Sequence, residues 1–143
     1  MNKYFLDGKL AWMKGEYSLI KESSGELGVL ELGKEFSFPV KRVFFLRKID
    51  SLSSRGFHSH EELKQILVCL SGSLTMKIDD GKNKYDMKLG ERNSFLYLDG
   101  MIWREMYDFS EDAVLMVLCD REYKNDMVVR DYKVFLKNIK DRI

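Results

Sequence analysis

The sequence predicts an all-β fold, an antiparallel sandwich or barrel with one C-terminal helix, in a single domain spanning residues 1–143. Three observations point there. From Phe36 to about Asp120, short apolar segments alternate with turn-forming clusters. Aromatic residues make up 13% of the chain, a content that suits pleated, half-buried surfaces. Only at the end does the apolar spacing become helical.

At the N-terminus, MNKYFLDGKLAWMKGEYSLI lacks the continuous apolar core of a signal peptide, and no window approaches transmembrane length. YSLIKES and LGVLEL read as two strands joined around Ser23-Ser24-Gly25. FSFPVKRVFFL, LKQILVCLSG, SLTMKIDDG, KYDMKLG, SFLYLDG, IWREMYDF and AVLMVLCD each read as a strand. The spacing predicts a tight hairpin around Ser71-Gly72 and another turn at Asp80-Gly81. Such regular short strands suit an antiparallel sandwich or barrel. In VVRDYKVFLKNI, the residues Val128, Val129, Tyr132, Phe135, Leu136 and Ile139 recur at helical spacing, and Asp126 is placed to cap that helix. No repeat, low-complexity tract or linker interrupts the chain.

Lys and Arg number 24 against 23 Asp and Glu. This balance gives no general attraction to nucleic acid or membranes. Cys69 and Cys119 each lie in an apolar run without a CxxC or other framework, as expected of buried thiols in a reducing cytoplasm. A cytoplasmic protein is the expectation.

Both histidines of the chain lie in RGFHSHEELKQ. In a strand, residues i and i+2 share a face, so His58 and His60 can project together into a barrel interior. The pattern His58-x-His60, four residues, Gln65, six residues, Gly72 resembles the first motif of the cupin superfamily of small β-barrels (jelly rolls). Leu52 stands where that motif opens with glycine, and Gln65 where it carries glutamate. A divalent metal needs three or four deprotonated N, O or S ligands held together. Two imidazoles and a neutral amide fall short, and no third histidine exists to complete the set. The barrel is therefore expected to bind no metal. Imidazole titrates close to physiological pH, which suits proton transfer in either direction.

Beyond that motif, the chain resembles the WxcM-like sugar 3,4-ketoisomerases that act on dTDP-4-keto-6-deoxyglucose. The resemblance rests on FPVKRVFFL, RGFHSHEELKQILVCLSGS, the DDG turn, LYLDGMIWREMYDFSEDAVLMVL and RDYKVFLKNI, in order from Phe38 onward. In that family glutamine is usual at the position of Gln65. The resemblance implies an isomerase that moves a proton between C3 and C4 through an enediol, without cofactor or metal. His58 and His60 would divide the transfers, with His60 favoured as principal base; the sequence leaves open which acts at C3. Arg42, Arg55 and Arg104 are candidates for the diphosphate or enediolate, since guanidinium suits multidentate anion binding. Tyr97 and Trp103 are candidates to line the nucleotide or sugar pocket, and Glu105 to orient an imidazole. Phe44 and Phe45 stand where family members often have tyrosines, and Ser24 where they often have arginine.

Two other readings use the same residues: an epimerase on a related dTDP-keto-sugar, and a non-catalytic module that binds a nucleotide sugar. Family resemblance further implies a homodimer with N-terminal strands exchanged or paired across the interface.

Overall fold

The computed structural model describes residues 2–6, 9–32, 38–50, 52–124 and 128–141. Strands run in chain order as β1 (Asn2–Leu6), β2 (Lys9–Glu16), β3 (Ser18–Glu22), β4 (Gly25–Val29), β5 (Arg42–Arg47), β6 (Arg55–His60) and β7 (Lys64–Ser71). They continue as β8 (Leu74–Asp79), β9 (Lys84–Leu89), β10 (Ser94–Asp99), β11 (Trp103–Tyr107), β12 (Val114–Cys119) and β13 (Val128–Val129), followed by helix α1 (Tyr132–Asp141).

Strict alternation on β8 explains how the sheets face each other. Leu74, Met76 and Ile78 are fully buried, while Thr75 and Lys77 point to the other side. Met76 and Ile78 meet Trp12, Leu67, Leu96, Leu98, Leu115 and Val117 in one apolar core. That core lies between a six-stranded sheet, β1-β2-β10-β7-β12-β5, and a five-stranded sheet, β13-β6-β11-β8-β9. Every described pairing is antiparallel. Among the described residues no ladder joins the two sheets, so they form an open jelly roll and not a hydrogen-bonded closed barrel.

Central strand β7 is apolar on both faces because both are covered. Its outer residues Ile66 and Val68 pack with Met13, Phe95 and Tyr97, under Leu30, Leu32 and Phe38. The β3–β4 hairpin forms around Ser23-Ser24, as the sequence predicts, and pairs with no other strand. Asp80-Gly81 also turns as expected: Asp80 accepts bonds from the backbone of Lys82 and Asn83 and leads β8 into β9.

Two expectations are corrected. Ser71-Gly72 is no hairpin, because β7 pairs with β10 and β12 whereas β8 pairs with β9 and β11. It is instead a corner where the chain changes sheet, taken by Gly72 at φ 66° against Ser110 and Asp112. At the C-terminus, Val128 and Val129 are not helical; they pair with His60 and Ser59 of β6. The helix starts later, where the Asp131 carboxylate accepts bonds from the amides of Lys133 (2.8 Å) and Val134 (3.3 Å) as its N-cap. The cap expected at Asp126 lies outside the described residues. Phe135 and Ile139 bury the apolar stripe of α1 against Trp103 and Val129.

Candidate active site

One end of the jelly roll opens between the sheets as a cavity of about 410 Å³. Its lining includes His58 and His60 from β6, Gln65 from β7, Arg104 and Met106 from β11, Arg42 and Phe44 from β5, and Leu115 and Val117 from β12. The imidazoles stand edge to face, ring centroids 4.8 Å apart and planes at 88°. The i, i+2 spacing therefore places them as the sequence predicts.

Arg55 also lines the cavity, although it stands three positions before His58 and a regular strand would turn the two to opposite faces. A β-bulge resolves this. His58 pairs with Arg104 and Gly56 with Glu105, leaving Phe57 as an extra residue at φ 57°. Gly56, at φ 90°, lies so close to β11 that an added Cβ would come within 2.9 Å of the Arg104 carbonyl oxygen.

Beside the imidazoles runs a polar chain, buried at Gln65, Arg104 and Cys119 and half-buried at Arg42. Arg104 donates through Nη1 to Gln65 Oε1, and through Nη2 (3.0 Å) and Nε (3.3 Å) to the carbonyl of Ile102. Gln65 Nε2 donates to Cys119 Sγ at 3.4 Å, and Arg42 Nη2 reaches the same sulfur at 3.5 Å. Register explains the cluster, since Cys119 lies opposite both Gln65 and Arg42 in adjacent strands. The glutamine amide is thus fixed in orientation, oxygen to the guanidinium and nitrogen to the thiol.

Charge in this cavity is one-sided. Arg42, Arg55, Arg104 and Arg130 line it, and among the described residues no carboxylate does. Burial lowers the His58 pKa to about 4, helped by Arg104 and Arg130 and opposed by the Gly56 backbone. Burial, then Arg104, His58, Arg42 and Arg130, lowers that of His60 to about 2. Both imidazoles are neutral near pH 7 and able to accept a proton. Burial also brings the Arg104 guanidinium down to about 10. This donor set does not fit a divalent cation, which the surrounding guanidiniums would repel. Among the described residues no group of three or more His, Cys, Asp or Glu side chains is placed to hold one.

The sign of the resulting pH dependence is fixed by the direction of the shifts. With folded-state values below the ordinary 6.5, the unfolded chain binds more protons under that pH. Their stabilising contribution is complete above pH 6.5 and declines as pH falls, by about 1.4 kcal/mol per pH unit for each histidine. Urea unfolding between pH 6.5 and 5 should show this slope, and a His58→Asn/His60→Asn double variant should lose it.

Three expected site residues lie elsewhere. Alternation on β11 turns Arg104 and Met106 inward and Trp103 and Glu105 outward. Trp103 packs against Tyr132 and Phe135 of α1, and its Nε1 donates to Glu105 at 2.9 Å. Glu105 also accepts from the Tyr107 hydroxyl, so it orients no imidazole. Tyr97 faces the outer side of the six-stranded sheet and donates to Asp99 at 3.1 Å. Of the two phenylalanines after KRV, Phe44 lines the cavity and Phe45 is exposed on the outer face. Ser24, at the hairpin tip, is not among the lining residues.

Sequence reasoning passed over Met106, Tyr123 and Arg130, all of which line the cavity. Period-two spacing from Arg104 identifies Met106. Tyr123 and Arg130 sit outside the regular strands, where no periodicity marks them.

Comparison with known proteins agrees with this geometry. Residues 13–140 match the FdtA family, described as WxcM-like, C-terminal. A TDP-4-oxo-6-deoxy-α-D-glucose-3,4-oxoisomerase of Aneurinibacillus thermoaerophilus is 37% identical over 123 residues, covering 86% of this chain and 88% of its own. The sugar 3,4-ketoisomerase QdtA of Thermoanaerobacterium thermosaccharolyticum, solved with TDP, superposes with a TM-score of 0.86 at 31% identity, over 92% of this chain and 96% of its own. The TDP-quinovose 3,4-ketoisomerase WlaRB of Campylobacter jejuni gives 0.82 at 35% identity, over 89% and 98%.

Proposed function

The chain belongs to the FdtA family of WxcM-like C-terminal domains and is a sugar 3,4-ketoisomerase, and from this we propose that it converts dTDP-4-keto-6-deoxyglucose to a dTDP-3-keto-6-deoxyhexose by acid–base catalysis alone. The observation that carries the mechanism is the pair of neutral, edge-to-face imidazoles beside a buried guanidinium.

A C4 ketone acidifies the hydrogen on C3. A neutral imidazole removes that proton, and the electron pair moves into the C3–C4 bond and onto the C4 oxygen. Arg104, positively charged and with no carboxylate among the described lining residues, stabilises the oxyanion of this enediolate. The proton taken from C3, exchanged with solvent and passed to the imidazole at the C4 end, is then delivered to C4. The hydroxyl proton on the C3 oxygen moves to the C4 oxygen, leaving a ketone at C3 and a hydroxyl at C4. No electron acceptor is needed, because oxidation at C3 balances reduction at C4.

His58 is the better candidate for the C3 base, contrary to the preference for His60 drawn from sequence. His60 lies deeper and feels Arg104, His58, Arg42 and Arg130 together, whereas His58 keeps more of its basicity. His60 then serves the C4 end. Gln65 acts through Arg104 by fixing its guanidinium. Arg42 and Arg55, both less buried than Arg104, are assigned to the anionic part of the substrate.

Incubation with dTDP-4-keto-6-deoxyglucose in deuterium oxide tests the reaction by NMR. Expected is a 3-keto product carrying deuterium at C4. Exchange at C3 or C5 with the C4 ketone retained would indicate epimerisation instead, and TDP binding without exchange a non-catalytic module.

A homodimer is part of this reading. The six-stranded sheet leaves Val43, Phe45 and Leu70 exposed on its outer face, and β1 ends that sheet as an edge strand open to pairing. Sedimentation should give twice the chain mass of 16.9 kDa; a monomer would refute it.

A further inference from the structure

One buried side chain lies beside the reacting groups and has no part in the proton transfers. Cys119 ends β12, is fully buried, and is not among the residues that line the cavity. Its sulfur accepts from Gln65 Nε2 at 3.4 Å and from Arg42 Nη2 at 3.5 Å. At the other end of the same amide, the Gln65 oxygen accepts from Arg104. Donation therefore runs one way along the chain, from Arg104 to Gln65 and from Gln65 to the sulfur.

We propose that Cys119 is a positioning residue for the isomerisation: by accepting from Gln65, its sulfur fixes the sense of the amide and through it the guanidinium of Arg104. The assignment rests on the ketoisomerase reading above, in which Arg104 faces the enediolate. A guanidinium only donates, so it needs the amide oxygen turned toward it. That sense points Nε2 at β12, and because Gln65 is 4% exposed its N–H must find an acceptor inside the protein. Register supplies one, since Cys119 lies directly opposite Gln65 on the neighbouring strand. Turned over, the amide would set Nε2 against Nη1, two donors face to face, and push the guanidinium from its place. Arg42 depends on the sulfur less, because its guanidinium also stands over the rings of Phe44 and Tyr123, 5.4 Å from each centroid. The sulfur therefore bears on turnover more than on binding.

Steady-state kinetics of the intact protein on dTDP-4-keto-6-deoxyglucose test this. Cys119→Val fills the site without an acceptor and should lower kcat about three- to tenfold, with KM and TDP affinity within about twofold of the parent. Cys119→Ser keeps an acceptor and should recover part of that loss. Gln65→Met removes the amide through which the sulfur acts, so adding Cys119→Val to it should lower kcat no further. Should valine crowd the strand and melt the protein early, Cys119→Ala gives the same contrast against serine. Equal kcat in the serine and the acceptor-free variants, or an undiminished Cys119→Val effect in the Gln65→Met background, would overturn this assignment alone. A parent chain without isomerase turnover would overturn the functional reading, and this assignment with it.

Discussion

Replacing His58 by asparagine abolishes both isomerisation and exchange of the C3 proton with solvent, while TDP still binds. Asparagine fills nearly the same space but accepts no proton at working pH, so the loss falls on kcat, by about 100- to 10,000-fold. His60→Asn behaves differently. It retains a base at C3 and therefore continues to wash deuterium into C3 of the 4-keto sugar, while formation of the 3-keto product falls by a similar factor. The contrast follows from position: the imidazoles share a face and touch edge to face, yet His60 lies behind His58 and closer to the accumulated charge. Loss of C3 exchange in His60→Asn together with its survival in His58→Asn would reverse the two roles. Because both free-enzyme values are held well below 6.5, kcat/KM should stay level from pH 8 down to about pH 5, without the inflection near neutrality that an ordinary histidine produces.

Arg104→Met separates activity from stability in one substitution. Arg104 is almost fully buried, its partners are the Gln65 oxygen and the Ile102 carbonyl, and among the described residues no carboxylate repays its desolvation. Removing a donor to a developing oxyanion costs about 100- to 1,000-fold in kcat. Replacing this unpaired buried charge by an apolar side chain of similar length removes a desolvation cost that offsets the donor lost by the Gln65 oxygen and the Ile102 carbonyl. The expected outcome is an enzyme nearly inactive in turnover whose melting temperature is no lower than that of the parent. A large drop in melting temperature would show that the guanidinium is chiefly structural.

How much of this was legible beforehand depended on whether one face of each strand was exposed. Strands β8 and β9 alternate, and their apolar spacing located them directly, whereas β12 (VLMVLC) showed itself as an unbroken apolar run bounded by turns. Strand β2 does not: Trp12 faces the main core and Met13 the outer cluster, both fully buried, so KLAWMKGE carries no period-two signal. The two valines of β13 resembled the first turn of a helix because a strand of two residues has no period to read. His58 and His60 were found through spacing that a strand makes physical. Trp103 and Glu105 were placed in the site together with Arg104, although neighbouring residues of one strand cannot share a face; the outward pair serves α1 and Tyr107. Tyr123 and Arg130 came to light only in three dimensions.

The bulge on β6 has a meaning for chain length. If Phe57 were absent, Gly56 and His58 would become neighbours and meet Glu105 and Arg104 in uninterrupted register. Arg55, His58 and His60 would still point inward. This strand can therefore lose that one residue without turning a single cavity side chain outward, so a chain one residue shorter at this point can share the same chemistry. The invariant is the inward set of side chains, and the count of residues between Arg55 and His58 is free to fall by one.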